Sequence, residues 1–470
     1  MSIIIDSATS LEIGDPERVP LSGVLPTRSE IAEAARPLIL SASGWRKVFA
    51  VEGEESSEPS LSGADTVIAA LMAEAFATYL KARALDAAPL YVGIDARPTG
   101  PTIADAMCRA FISRGFAVRY LFVAAAPEIM AHSRGKGPFA YISASHNPIG
   151  HNGVKFGLDD GGVLAGDEAK GLIASYRALL ESPDAAEKAR ELMRACPIPA
   201  LRSCFESVSA EKTASLASYR AFTRHIVSAH ADPSRADSFF RDLERSIASF
   251  ASGGTPLSLA TDFNGSARAS SIDRSVFGEL GIPFFEINGA TGAIAHRIVP
   301  EGESLIPCAD FLSSLKKGVT PEERGVVFGY VPDCDGDRGN IVYWDEGDSQ
   351  PRILEAQEVF ALSVVSELAS LAREGLITVA GKGLPCAPPA AVAVNDPTSA
   401  RIDAIARAFG VRVARAEVGE ANVVGLARKL RDEGHVVRIL GEGSNGGNIT
   451  YPSSVRDPLD TVFALLKLLV

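Results

Sequence analysis

Six cysteines in 470 residues (Cys108, Cys196, Cys204, Cys308, Cys334 and Cys386) include no C-x-x-C pair. That spacing excludes a zinc ribbon and supplies no disulfide framework. Reduced thiols, and with them a cytoplasmic location, are the expectation. The amino terminus, MSIIIDSATSLEIGDPERV, lacks a basic region and offers only three consecutive isoleucines, so no export signal is expected. No stretch approaches the length of a membrane span on this reading. Positive charge is also scarce: 46 Lys and Arg against 58 Asp and Glu leave a formal charge of −12. Nucleic acid and membrane are therefore not expected partners, because their binders concentrate positive charge. An anionic substrate would need a local cluster of Arg and Lys.

What is present is an ordinary globular composition, 46% hydrophobic and 22% charged. At roughly 150 residues per domain, the length suggests about three domains. The segment TVIAALMAEAFATYLKAR places Val67, Ile68, Leu71, Met72, Ala75, Phe76, Tyr79 and Leu80 on one helical face. PLYVGIDARPTG follows as a strand, and TIADAMCRAFISRG as a helix closed by Gly115. The unit recurs as LSLATDFNGSA with a helix ending at ELGI, as GVVFGYVPDCDGD with a helix over EAQEVFALSVVSELASLARE, and as a strand at LITVAGKGL. Strands alternating with helices predict parallel sheets that bind ligands beyond the carboxyl ends of their strands. Asp95, Asp262 and Asp333 stand at three such ends. The Ala-, Arg- and Glu-rich stretch from ESPDAAEKAR to SIASFASGG has no strand signal and holds the first domain boundary.

Four stretches carry chemistry. In YISASHNPIGHNGVKFGLDDGG, Ser145 sits among small residues at the mouth of a strand and Lys155 follows ten residues later. Asn-Pro and Asn-Gly are turn dipeptides, so the run reads either as plain turns or as an exposed nucleophile with a proton shuttle. In VPDCDGDRGN, Asp333, Asp335 and Asp337 alternate directly after an apolar run; carboxylates so spaced repel unless a hard cation such as Mg²⁺ joins them. The alternatives are a solvated acidic turn or half a calcium loop, although Gly336 and Arg338 stand where an EF-hand needs further ligands. In RILGEGSNGGNITYPSS, Glu442 and Ser444 leave a strand on a glycine-rich turn, suited to sugar hydroxyls or merely a tight connection. In ASGWRKVFA, Arg46 is by itself a surface basic residue.

Taken in order, SGWR, SHNPIGHNGVK, DCDGDR and GEGS resemble the motifs of the α-D-phosphohexomutase superfamily, the phosphoglucomutases and phosphomannomutases: S-G-x-R, S-H-N-P-x-x-x-N-G-x-K, D-x-D-x-D-R and G-E-x-S. The resemblance runs from about Ser43 to Asp460. It implies consecutive α/β domains with mainly parallel mixed sheets and an active site in the cleft between them. Applied here, the domains are 1–205 with the serine loop, 206–345 with the metal loop and 346–470 with the sugar loop. It also implies that Ser145 is phosphorylated and bound through its phosphate to Mg²⁺, with Asp333, Asp335 and Asp337 as the other ligands. Lys155 becomes the general base and acid, Arg46 assists the transfer, His146 orients the loop, and Arg338, Glu442 and Ser444 bind substrate. Asp95 and Arg97 look loop-supporting. Lys155 would need its pKa depressed by burial or by cations such as Arg46.

The activity implied is the interconversion of hexose 1-phosphate and hexose 6-phosphate, of glucose or mannose, with a hexose 1,6-bisphosphate as intermediate and activator. Small-molecule sugar phosphates are the expected partners, for a monomer or a dimer. Two features depart from the family pattern. Cys334 replaces the usual metal-loop glycine, which matters if that position needs φ > 0. No R-x-S-x-T-E-P loop of a fourth domain occurs before Val470, so that domain is expected to be absent. A Mg²⁺-dependent sugar-phosphate phosphatase and a non-catalytic sugar-phosphate-binding protein stay open beside the mutase.

Overall fold

A computed structural model describes residues 3–164, 166–250, 254–381, 383–441 and 447–470. The chain forms two compact units: 1–219 with 290–292, and 220–289 with 293–470. The division falls within the helix Val208–Ser228, inside the strandless stretch, which forms the helices Ala185–Ala195, Ile198–Glu206, Val208–Ser228 and Pro233–Phe250.

The first unit opens with a small antiparallel pair, β1 (Ile4–Ile5) and β2 (Glu12–Gly14). Its main sheet holds β3 (Ile39–Ser41), β4 (Gly44–Val48), β5 (Leu90–Ile94), β6 (Val118–Val123), β7 (Phe139–Ile142) and β8 (His151–Gly157), in the order β3-β4-β8-β7-β5-β6. The parallel part is β6, β5 and β7, and β8, β4 and β3 continue it antiparallel. LYVGI of β5 is buried throughout, as a near-continuous apolar run predicts for a strand covered on both faces.

The helix Gly63–Ala82 starts at Ser62, whose Oγ accepts the Asp65 amide at 3.0 Å. It packs against the helices Arg28–Ala35, Gly100–Ser113, Gly166–Glu181 and Ala185–Ala195. Neighbours on so many sides bury nearly its whole circumference, not the single face that its periodicity predicts. The expectation that no stretch reaches membrane-span length is corrected here. This helix is long and apolar enough, but 89% of its most apolar window is buried inside the unit. Phe76 packs on Phe156 at 4.4 Å between ring centroids, and Trp45 on Tyr176 at 4.7 Å.

The second unit has two sheets. One holds β9 (Ser258–Asp262), β10 (Phe284–Ile287), β11 (Val326–Pro332), β12 (Gly339–Asp345) and β13 (Gln350–Ile353), in the order β10-β9-β11-β12-β13. Strands β10, β9 and β11 are parallel, while β12 and β13 run antiparallel. The other holds β14 (Ala391–Asn395), β15 (Arg412–Ala416), β16 (Ile439–Gly441) and β17 (Asn448–Thr450), in the order β15-β14-β16-β17, with only β17 antiparallel. The strand expected at LITVAGKGL is not formed by its described residues, which contribute a single bridge from Thr378 to Ala387. Gly381, at φ 74°, breaks the run, and the strand β14 follows instead in AVAVN, a stretch buried throughout.

Candidate active site

In the first unit, β7 ends at Ile142 and delivers Ser143, Ala144 and Ser145 to its carboxyl end. Ser145 adopts φ 54°, a left-handed conformation costly for a residue with a Cβ. Two sets of contacts hold it there. The Ser145 amide donates to Ser143 Oγ at 2.8 Å, and Arg97 closes over the turn from outside. The Arg97 guanidinium donates to the carbonyls of Ser145, Asn147 (2.6 Å) and Pro148, while Asp95 Oδ2 accepts from its Nε at 3.1 Å. Asp95 and Arg97 are both fully buried, so the clasp works in a low dielectric where its charge-assisted bonds are strong. They are positioning residues, as their place after β5 suggests.

Ser145 Oγ lies 3.5 Å from His146 Nδ1. Its outward presentation is corrected by the structure: Ser145 is only 5% exposed, because the clasp draws its backbone inward. The reading of Asn152-Gly153 as a turn is corrected as well. Both lie inside β8, where a Cβ on Gly153 would stand 2.0 Å from the Trp45 carbonyl of β4. Glycine is there to let two strands approach. Asn152 is buried and donates to Thr99 Oγ1 at 3.0 Å.

That approach sets the two basic residues. Arg46 pairs with Gly153 across β4 and β8, so Lys155, two residues further along β8, is its diagonal neighbour on the same sheet face. The backbones of such diagonal neighbours stand about 7–8 Å apart. The Lys155 stem passes Gly44, whose Cβ would lie 3.4 Å from Lys155 Cγ, and its ammonium stands 6.0 Å from the Tyr141 ring centroid. Arg46 donates to Ser43 Oγ at 3.3 Å.

In the second unit, β11 ends at Pro332 and the chain turns through Asp333, Asp335 and Asp337, each at most 1% exposed. One oxygen from each lies within 4.8 Å of the others. At an effective dielectric near 20, two charges at that separation repel by about 3–4 kcal/mol. Burial, and then the charges of Asp335 and Asp337, push the Asp333 carboxyl well above the usual carboxylate range. The chemistry of this donor set, three buried hard oxygens, fits a divalent cation such as Mg²⁺ and not a soft metal. The turn is tied by Asp333 N to the Arg338 carbonyl at 3.0 Å and by Arg338 N to Asp333 Oδ1 at 3.2 Å. Its positive φ falls on Gly336, at 67°; Cys334 does not need one, and the cysteine is accommodated buried, its carbonyl accepting from Ala267 N at 3.0 Å.

Two further groups flank this loop without a signal in the sequence. Arg456 reaches Asp337 Oδ2 at 3.3 Å and Glu420 Oε2 at 2.9 Å. At the carboxyl end of β9, beside β11, Asp262 accepts His296 Nε2 at 2.9 Å. Burial disfavours the charged imidazole, but the Asp262 carboxylate outweighs it and raises the His296 pKa. An isolated His in GAIAHRIVP and an Arg in SSVRDP belong to no spacing pattern; only the fold brings them here. Arg338 follows the aspartates half-buried, and Glu442 and Ser444 lie outside the described residues.

Residues 39–182 match the family model "Phosphoglucomutase/phosphomannomutase, alpha/beta/alpha domain I". A phosphoglucosamine mutase of Lacticaseibacillus casei (strain BL23) is 35% identical over 95 residues, 20% of this chain and 20% of that relative. Among solved structures, a phosphoglucomutase/phosphomannomutase family protein from Burkholderia thailandensis aligns with TM-score 0.56 at 17% identity, covering 91% of this chain and 76% of that one. Parafusin, a phosphoglucomutase from Paramecium, aligns with TM-score 0.57 at 15% identity, covering 92% and 73%. Residues 39–182 are thus similar to domain I of the phosphoglucomutase/phosphomannomutase family, and the chain has the α/β fold, with mixed sheets, of these solved structures.

Proposed function

We propose that the chain is a phosphohexomutase that interconverts hexose 1-phosphate and hexose 6-phosphate through a phosphoserine at Ser145. The observation that carries this reading is the serine loop. A left-handed serine, clasped through three carbonyls by a buried arginine, is a costly arrangement for an ordinary turn and a suitable one for a fixed phosphoryl carrier.

Phosphoryl transfer asks for positioning and charge stabilisation more than for covalent help. In the first transfer the phosphoryl group leaves Ser145 Oγ for the 6-hydroxyl of hexose 1-phosphate, and Lys155, entering neutral, takes the hydroxyl proton. The product is hexose 1,6-bisphosphate. After it turns around, its 1-phosphoryl group passes to Ser145 Oγ, Lys155 returns the proton to the sugar oxygen, and hexose 6-phosphate leaves. Arg46 stabilises the charge shifting between the oxygens, and His146 orients the loop. Mg²⁺, held by Asp333, Asp335 and Asp337, would neutralise phosphoryl oxygens as their charge grows. Arg338, Glu442 and Ser444 bind the sugar phosphate and its ring hydroxyls. Three α/β domains, one for each large sheet, a cytoplasmic location and sugar phosphates as the partners complete the reading.

A coupled assay with Mg²⁺ and a trace of the 1,6-bisphosphate, run on glucose, mannose and glucosamine 1-phosphates, tests it. The expected result is 6-phosphate formation from at least one, with intact mass showing one phosphoryl group on the resting chain. Inorganic phosphate appearing faster than the isomer would make the chain a phosphatase; no turnover and no phosphoserine would leave only a binding protein.

A further inference from the structure

The four-stranded sheet has a second end. At the amino ends of β14 and β15 lies an open pocket of about 460 Å³. Arg407, Arg412 and His435 line it together with Pro385, Pro389 and Cys386. Its floor is fixed by backbone: Cys386 N bonds the Gly410 carbonyl at 3.0 Å, and Arg412 N bonds that of Ala390 at 3.0 Å. Gly410 closes the helix Arg401–Phe409 at φ 68°, and a Cβ there would stand 2.0 Å from the Leu384 carbonyl.

The charge of this pocket is unusual for so acidic a chain. Nearby arginines are matched with acids, Arg415 with Asp403 at 2.6 Å and Arg401 with Glu358 at 3.8 Å. Among the described residues, neither Arg407 nor Arg412 has an ion-pair or hydrogen-bond partner for its guanidinium. The buried Nδ1 of His435 also has no hydrogen-bond partner. The opposing charges are already engaged: Asp403 on the wall belongs to Arg415, and the helix-end carbonyls of Ala406 and Arg407 accept from Gly410 and Val411.

We propose that this pocket binds a small-molecule phosphomonoester. Two guanidiniums present planar forks of donors that match phosphate oxygens, and a group near −2 balances both, whereas a monocarboxylate would leave one uncompensated. The proline and cysteine walls suit the body of such a ligand, and the volume lies in the range of small-molecule sites. This site stands apart from the aspartate loop and does not draw on the phosphohexomutase reading, so either can fail alone.

Phenylglyoxal labelling of the wild-type chain, read by peptide mass, tests the site directly. Arg407 and Arg412 should be modified in buffer and protected at least tenfold by millimolar phenyl phosphate, with benzoate protecting less. In the Arg407→Ala/Arg412→Ala variant, phenyl phosphate should no longer slow amide exchange in peptides covering 383–390 and 430–437. Labelling of both arginines unchanged by phenyl phosphate overturns the proposal. So does protection by poly-glutamate alone, which would make the pocket a docking site for an acidic macromolecule.

Discussion

The serine loop and the aspartate loop occupy corresponding places, each following a strand that is parallel to one neighbour and antiparallel to the other, yet they are held in opposite ways. The first is finished without a ligand. A buried Arg97 supplies the donors its carbonyls need, and a strained residue is kept in place by that clasp. The second gathers three buried carboxylates, and Arg456, paired with Asp337, offsets their repulsion only in part, since the Asp333 carboxyl stays well above the usual range. One loop is preorganised by the chain's own hydrogen bonds; the other concentrates negative charge that suits a divalent cation.

The largest effect should come from Ser145→Ala, which removes the proposed phosphoryl carrier. Mutase turnover is expected to fall at least 10³-fold with an unchanged thermal midpoint, and intact mass should lose its phosphoryl satellite; full activity in this variant would refute a serine carrier. Lys155→Met should lower kcat by about 10²–10⁴ while KM changes little, since the proton moves only as the oxygen attacks. A raised KM with an unaltered kcat would make Lys155 a binding residue. Arg97→Met bears on the comparison itself. It leaves Asp95 buried beside an apolar side chain, so unfolding stability should drop by about 3–5 kcal/mol, measured by urea denaturation. The loss should be the same with and without Mg²⁺.

Asp335→Asn should behave in the opposite sense. Wild type is expected to gain about 2–3 kcal/mol when Mg²⁺ reaches 100 times its Kd, and the variant to gain much less. Its stability without metal should be equal or higher, because repulsion is relieved. Equal Mg²⁺ responses in the two chains would reduce the aspartates to a structural turn. The smallest effect concerns His132, far from both loops in chemistry. Burial, and then the nearby Lys136, lower its pKa from 6.5 to about 4. The unfolded chain therefore binds more protons between about pH 4 and 6.5, so stability from this group is complete above 6.5 and declines as pH falls through that window. His132→Gln should flatten the slope measured between pH 5 and 7.

The two loops also differ in how far they can be read from sequence. Apolar runs ending in Asp95, Asp262 and Asp333 mark β5, β9 and β11, because fully buried parallel strands leave continuous hydrophobic letters and polar residues just beyond them. The aspartate cluster is legible because its members are two residues apart. The clasp is half legible: Arg97 stands in a recognisable segment, but its carbonyl partners lie 48 to 51 residues away. His296 is 34 residues from Asp262, and Arg456 is 119 from Asp337. Contacts of that span leave no local pattern. Asn152-Gly153 misleads for a different reason, since a glycine that admits a neighbouring strand looks like one that makes a turn. The hairpin of β12 and β13 escapes notice because NIVYWD follows the acidic loop without a helix between.

The helix Gly63–Ala82 carries a consequence for how the chain is made. Two of the helices that cover it, Gly166–Glu181 and Ala185–Ala195, are encoded about 100 residues downstream. At synthesis rates of 5–20 residues per second, roughly 5–20 s pass between the emergence of this apolar segment and the arrival of its cover. A segment as hydrophobic as a membrane span is thus presented, naked and nascent, to any factor that surveys ribosomes for such stretches, before the fold that hides it can exist.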